Sequence, residues 1–525
     1  MRNKGFTLIE LLAVVTIISL LLLLVLPKIT SQLNNSKDEV NEATKKIIYT
    51  AAEKYVQDYN IGEEEQQRNE YCLTLKELVA EDYLSDNIKD NKLGINIKEK
   101  KSVKITYDSA SGFSYELLNS SECDDILNYG LTPVAYKEDK WVVVSSMNKN
   151  NEWYDYDNQK WANAVTLLPG VKKEIGDEVA VDGTEASMML VYIPRFEYKI
   201  EEPYGKDGIS TYLPGEIEVN FVPKTKKGYD EVSGYRVHPA FTFGDQDVSG
   251  FWVGKFELSS VSSNTSENNN LGCNQDGCTS DISKLRILPN VASLRYNNVS
   301  NFFYALRRIE KTNSFGLKKM DTHMIKNSEW GAVAYLSQSK YGKYGNKNYT
   351  GANKEIYQNK SSSFITGNSN GTPSQNETNT QCSYDNTTNN CGVGASTTGN
   401  IYGIYDMSGG SYDYAMGVYG NDSTSINILL FDGYHMESKY YNIYTTDIAT
   451  TACNGGVCFG DALSETNEWY YDYNGMVKST HPCIVRGGSF DTDVDPNFDT
   501  GIFYFSHVTN ISSERISTRF VGIIK

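Results

Sequence analysis

The sequence predicts an α+β protein in which a long helix and a small sheet precede a larger region of short strands and loops. Three observations predict this class. Residues 11–26 form an unbroken run dominated by apolar side chains, and from Asn41 to Tyr59 apolar residues fall at 43, 47, 48, 51, 55 and 59, close to helical period. Val103, Ile105 and Tyr107 alternate with polar residues, the pattern of a strand with one buried face. Beyond Ser187 the apolar stretches are short, turn residues are frequent and helical patterns are few. At 525 residues the chain has room for two or three domains, each large enough to bury a core.

The first element opens Arg2-Asn3-Lys4-Gly5-Phe6-Thr7-Leu8-Ile9-Glu10 and stays apolar to Leu26 and Pro27. About twenty such residues suffice to cross a bilayer as a helix. Glu10 interrupts the run. One carboxylate in hydrocarbon costs roughly 2.5–3.5 kcal/mol, so its presence calls for a partner. A secretory signal would have a shorter apolar core ending in a small-residue cleavage site, whereas here the Gly stands before the run. Arg2 and Lys4 keep the front end cytoplasmic, which places everything beyond Pro27 outside the cell membrane on a single-pass anchor. The segment resembles the N-terminus of type IV prepilins and type II secretion pseudopilins. The resemblance implies cleavage after Gly5 by a prepilin peptidase and N-methylation of Phe6. It also implies pairing of Glu10 with the terminal amine of a neighbouring subunit, in a homo- or hetero-polymer.

The helix predicted over residues 41–59 continues the same element out of the membrane. Thr74-Leu75-Lys76-Glu77 is a capping-box pattern that opens a short helix to about Tyr83. Ser109-Ala110-Ser111-Gly112 turns the strand at Val103–Tyr107 into Phe113–Leu118 as a hairpin. A long helix with a small sheet is the pilin plan, so residues 1–5 are expected as leader and 6–125 as a pilin-like domain. Residues 126–186 are expected as an aromatic-rich connecting unit, and 187–525 as the large domain. Within the connecting unit, the run from Asn151 to Tyr156 is echoed by Asn467 to Asp472, as two similar aromatic strand edges. Residues 354–400, rich in Asn, Ser, Thr and Gly, read as a long surface loop.

A net charge of −17 speaks against nucleic acid as a partner, because phosphate contact needs clustered Lys and Arg. With 38 Tyr and five His, the composition favours recognition surfaces over metal or acid–base chemistry. Of nine cysteines, Cys273 and Cys278, Cys382 and Cys391, and Cys453 and Cys458 flank turn-forming residues, while Cys72 and Cys123 bracket most of the first soluble region. Loop-closing disulfides are the natural expectation outside a membrane, and Cys483 is left unpaired. Zinc is disfavoured, since no Cys-x-x-Cys occurs and the His residues do not cluster beside the pairs.

Several segments of the large domain resemble, in order, the formylglycine-generating-enzyme (sulfatase-modifying factor) family. They are Met189–Pro194, Gly250–Ser259, Lys326–Trp330, Asn400–Tyr414, Arg486–Phe490 and Thr518–Phe520. The resemblance covers roughly residues 187–525 and implies a variant of the C-type lectin-like fold. It also shows a departure: the enzyme needs a redox-active Cys pair just beyond Arg-Gly-Gly-Ser, and no Cys follows Cys483 here. The domain is therefore expected to be non-catalytic, with a tethered formylglycine-type oxidase as the enzyme alternative. The family's calcium loop maps onto Asp406, the carbonyls of Gly409 and Ser411, and Asp413, with Gly410 replacing Asn and Asp413 replacing Glu. The competing expectation is a metal-free turn in which Asp406 caps backbone amides.

Non-catalytic members of this fold, among them phage receptor-binding proteins and the variable proteins of diversity-generating retroelements, carry ligand contacts after the Arg-Gly-Gly-Ser segment. By that resemblance the expected contacts are Phe490, Asp491, Asp493, Asn497, Asp499, Tyr504, His507 and Asn510, and the segment is a candidate for hypervariability. Aromatic and short polar side chains there would make adaptable contacts at low entropic cost. The function these features imply is a surface-displayed minor or tip pilin-like subunit that binds an extracellular ligand: a cell-surface protein, a glycan or a phage. The alternative is a pseudopilin of a type II-like secretion system whose extra domain is a docking module.

Overall fold

The chain is described by a computed structural model. The larger spans outside the described residues are 1–41, 59–69, 120–126, 202–213, 262–269, 374–380, 446–457 and 492–499, with shorter gaps elsewhere. The described part is α+β with few helices and many short strands. It divides into two units, one ending at Cys123 and the other running from Asp124 to Lys525 and including residues 62–71.

In the first unit, helix α1 (Glu42–Asp58) falls within the predicted span and buries Ile48, Ala51, Ala52, Tyr55 and Val56 on one face, while Ala43 and Ile47 of the predicted apolar set are exposed. Helix α2 (Leu75–Ala80) buries Leu75 and Leu78. Strands β1 (Glu70–Thr74), β2 (Lys101–Asp108) and β3 (Gly112–Asn119) form one sheet in that order. β2 and β3 pair as a hairpin, with Asp108 opposite Gly112 at its turn. Val103 and Ile105, the inward members of the alternation, are fully buried. The Leu117 amide on β3 donates to the Tyr49 hydroxyl on α1 at 3.1 Å.

The second unit is built on two sheets. Its strands, in chain order, are β4 (Thr132–Lys137), β5 (Lys140–Val143), β6 (Asn163–Leu167), β7 (Ala186–Pro194), β8 (Gly250–Gly254), β9 (Met320–Met324), β10 (Tyr412–Tyr419), β11 (Asn442–Tyr444), β12 (Cys483–Arg486), β13 (Phe505–Val508), β14 (Ile516–Thr518) and β15 (Phe520–Ile524). Shorter ribbons decorate the rim. The larger sheet runs β9-β15-β8-β7-β6-β4-β5 and is antiparallel throughout. The smaller runs β11-β10-β12-β13, with β14 parallel to β10. β14 and β15 belong to different sheets and are separated by a single residue, Arg519.

Helix α3 (Val299–Ile309) is capped by Asn298, whose side chain accepts from the Asn301 amide. Helix α4 (Asn327–Ser337) is buried along its whole length. Its start follows the expected motif: the Glu329 carboxylate accepts from the Lys326 amide at 2.8 Å and meets His323 Nε2 at 3.0 Å.

Three expectations are corrected. Residues 126–186 are not a separate connecting unit, because β4, β5 and β6 complete the larger sheet beside β7. The tryptophans of the aromatic echo lie on turns rather than strand edges. Trp153 buries its ring and donates to Asn163 O at 2.7 Å, and Trp469 opens a 3-10 turn in which Tyr470 has φ 60°. Finally, 354–400 is not a solvated loop. Its described residues include the buried Gln358, Asn359, Ser361, Thr366, Ser369 and Thr397. Short polar side chains enter the core because they satisfy backbone groups there. Thr366 donates to Leu288 O at 2.6 Å and Asn359 to Ile365 O at 2.9 Å.

Disulfides join Cys273 to Cys278 and Cys382 to Cys391. Cys458 is disulfide-bonded as well. Cys123, Cys453 and the Cys72 side chain lie outside the described residues.

Candidate functional site

The N-terminal end of β10 gathers three of the eight predicted ligand contacts, Phe490, Asp491 and Tyr504. Phe490 donates its amide to Gly410 O at 2.9 Å and sets its ring edge-on to Phe364, with centroids 4.9 Å apart. Tyr412 donates its amide to Arg515 O at 2.9 Å, and the Arg515 guanidinium reaches Asp491 at 2.8 Å. The Tyr504 ring lies 6.0 Å from that of Tyr412 and 5.7 Å from that of Tyr473. Tyr504 is only 3 % exposed, so it supports this face more than it presents to solvent. His507 sits on β13 against His481, and its buried Nδ1 finds no partner among the described residues; the buried Nδ2 of Asn474 is likewise unmatched. Burial holds the His507 imidazole below its ordinary value. Asn510 lies apart from this group: its side-chain oxygen accepts from Val299 at the start of α3, at 3.0 Å. Asp493, Asn497 and Asp499 lie outside the described residues.

The residues expected to hold calcium sit deeper. Asp406 accepts from Asn359 Nδ2 at 2.9 Å and from the Gly367 amide at 2.8 and 3.0 Å. Asp413 Oδ2 accepts from Arg519 Nη2 at 3.0 Å and Nε at 3.2 Å. Arg519 also donates to Asp406 O and Gly254 O, at 3.1 and 3.0 Å. Glu257, at the end of the strand-like Gly250–Ser259 motif, accepts from the Ser411 amide at 2.8 Å. This arrangement does not fit a calcium ion. Both Asp406 oxygens face amide donors and a guanidinium supplies the positive charge. Asp413 Oδ1 is the one carboxylate oxygen of the expected set without a hydrogen-bond partner, against the six to eight oxygens calcium takes. Among the described residues no group of three or more His, Cys, Asp or Glu is placed to hold a metal.

Three buried carboxylates around one arginine make the domain sensitive to pH. Burial raises the Asp413 carboxyl to about 6 although Arg519 opposes it, and burial raises Asp406 and Glu257 above their ordinary range as well. Burial also lifts Asp461, bonded to Tyr444, to about 6. The unfolded chain releases these protons near pH 4. Between about pH 4 and 6 the folded state therefore binds more protons than the unfolded one, and stability falls as pH rises through that window. His323 adds the same sign: burial pulls it down, but Glu329 and Asp321 outweigh this and hold it above its ordinary value, so its contribution is lost as pH rises. Asp321, held at about 2 against the pull of burial by His323 and Arg307, acts oppositely, but only below about pH 4. His238, which burial pushes down to about 3, and His507 act oppositely, because the unfolded chain protonates them as pH falls below about 6.5 and the folded chain does not. The carboxyl contribution is therefore read by difference: in thermal denaturation of the solubilised chain, Asp413→Asn is expected to lower the quantity Tm at pH 5 minus Tm at pH 7.5 by several degrees relative to the parent. Melts with calcium and with chelator are expected to superimpose. An unchanged difference, or a calcium-dependent rise, would contradict the cluster as described.

Residues 1–26 match the prokaryotic N-terminal methylation motif. No curated protein matches the chain. The motif marks the N-terminus as that of a type IV pilin- or pseudopilin-like prepilin. It makes pilin subunits and a prepilin peptidase its general partners and a membrane-anchored, cell-surface place its setting. Gly5, Phe6 and Glu10 fall within the matched residues and outside the described ones. Among the described residues no helix is long and apolar enough to cross a membrane; the apolar run of the prepilin-like segment precedes them.

Cys483, on β12, is the free cysteine among the described residues, and burial pushes its thiol up to about 12. Such a thiol is a poor nucleophile at neutral pH. Two residues of the prepilin-like chain's large domain carry more of the buried site than sequence reasoning assigned them: Glu257 and Arg519. Both stand inside segments of the family resemblance, Gly250–Ser259 and Thr518–Phe520. A charged residue in an otherwise apolar strand motif was the available signal.

Proposed function

We propose that this chain is a minor or tip type IV pilin-like subunit whose large domain, a non-catalytic variant of the C-type lectin-like fold, recognises an extracellular ligand. The observation that carries the reading is the methylation motif at residues 1–26, joined to a second unit that begins at Asp124 and is far larger than the first. A domain of that bulk on every subunit would crowd a helical fibre, which favours occasional or terminal placement. Recognition is non-covalent and uses the face formed by Tyr412, Phe490, Asp491 and Arg515. The aromatic rings supply area, and the Asp491–Arg515 pair sits at a partly exposed rim where it contributes orientation more than affinity.

The test is a binding screen of the full chain against glycans and whole cells. Phe490→Ala combined with Arg515→Ala is expected to reduce binding at least tenfold while leaving the melting curve near that of the parent. Undiminished binding in this variant moves the face elsewhere, and no binding to any surface removes the recognition role.

A further inference from the structure

Helix α3 starts at Val299, whose amide donates to Asn510 at 3.0 Å. At the other end of that helix is a cavity of about 220 Å³, and no residue of the face lines it. Its lining is basic in a chain of net charge −17. Arg307, Arg308, Lys311 and His435 all contribute, and Glu437 is the acidic side chain among the lining residues.

The cations are not equivalent. Arg307 is committed to Asp321 at 2.7 Å and Glu310 at 3.2 Å, and Glu437 is paired with Lys439 at 3.0 Å. Arg308 instead donates to two carbonyls, Gln275 O at 2.7 Å and Tyr304 O at 3.3 Å. Neither Arg308 nor Lys311 has a carboxylate within 4.0 Å among the described residues. Two cations without counter-charge therefore face one concavity. Gln275 forms part of a wall, and the Cys273–Cys278 disulfide fixes the loop that carries it. The rest of the lining is Met436 and three aromatic residues, Phe303, Tyr304 and Tyr440. Phe303 is edge-on to Tyr440 at 5.5 Å, and Tyr304 presents a partly exposed ring.

We infer that this cavity binds an acidic sugar residue, a pyranose bearing a carboxylate. Its size suits a single sugar ring. A guanidinium with free N–H groups receives a carboxylate in a two-pronged geometry, and Lys311 adds a second, adjustable charge. The C–H face of a pyranose lies on the Tyr304 ring, which gives apolar contact that a bare inorganic anion would not use. Both components are needed: the cations select for charge and the aromatic wall selects for a ring.

The test uses the full chain in detergent, titrated with D-glucuronic acid, with D-glucose and inorganic phosphate as comparison probes and ligand-observed NMR as readout. Glucuronic acid is expected to bind at least tenfold more tightly than either, and more weakly as salt is raised. Arg308→Ala with Lys311→Ala is expected to abolish that preference without moving the Tm. Tyr304→Ala is expected to weaken glucuronic acid while leaving any residual phosphate binding unchanged. Equal binding of phosphate and glucuronic acid reduces the site to a simple anion site and overturns the sugar. Binding unaffected by the double substitution, or none at all, overturns the cavity. Retention of cell-surface binding by the Arg308/Lys311 variant leaves the recognition face intact, so the two proposals fail separately.

Discussion

Arg519→Ala is expected to destabilise the large domain by about 3–5 kcal/mol, the range for removing one partner of a buried ion pair. The guanidinium is fully buried and donates to Asp413 Oδ2, Asp406 O and Gly254 O, so it fastens the start of β10 to the end of β8. It also sits at the step from β14 to β15, where the chain passes from one sheet to the other. Truncation leaves the buried carboxyls of Asp406 and Asp413 without their cation and removes the donor to two carbonyls, Gly254 O and Asp406 O. Arg519→Lys keeps the charge but cannot reach all the acceptors from one planar fork, and is expected to fall between the two. Adding Asp413→Asn to Arg519→Ala removes the repelling charge and is expected to recover part of the loss, an interaction that a double-mutant cycle in denaturant reads directly. A Tm for Arg519→Ala within a degree of the parent would mean that the guanidinium does not join the sheets.

Glu10→Ala is expected to yield a protein that is cut after Gly5 and reaches the membrane, yet is depleted at least tenfold from sheared surface filaments. The physical reason lies in the carboxylate's setting, one charge in an apolar run that extends to Leu26. Its cost of roughly 2.5–3.5 kcal/mol is offset when an ammonium group approaches in a low-dielectric medium. On the proposed prepilin reading, cleavage after Gly5 supplies that ammonium on Phe6 of another subunit. Quantifying the subunit in the filament and membrane fractions, with mass spectrometry of the mature N-terminus, separates processing from assembly. Filament levels equal to the parent would assign Glu10 some other role, and an N-terminus still carrying residues 1–5 would displace the prepilin account altogether.

The elements set by short-range chemistry were legible in the chain. The periodicity of residues 41–59 matches α1, the alternation at Val103–Tyr107 matches β2, and the hairpin turn falls at Gly112, because each depends on which side chains recur on one face. The start of α4 was legible for the same reason, since Glu329 folds back on the Lys326 amide three residues away. Residues 354–400 misled because composition reports solubility while burial depends on partners, and Leu288 O and Ile365 O await those polar side chains.

The N-terminal anchor is the clearest case of determination by sequence, since the charge at Glu10 and the Gly before the apolar run need no fold to be recognised. Tertiary structure alone decided which charges meet. Asp413 and Arg519 are 106 residues apart in the chain, so nothing local could reveal that the carboxylate expected to hold a metal holds a guanidinium instead. The cavity beside Arg308 has the same origin. Arg308 and Lys311 have no carboxylate partner among the described residues while Asp321 and Glu310 pair with Arg307, an arrangement set where α3 packs against β9. Coulombic preference depends on distance and burial, and both are properties of the folded chain.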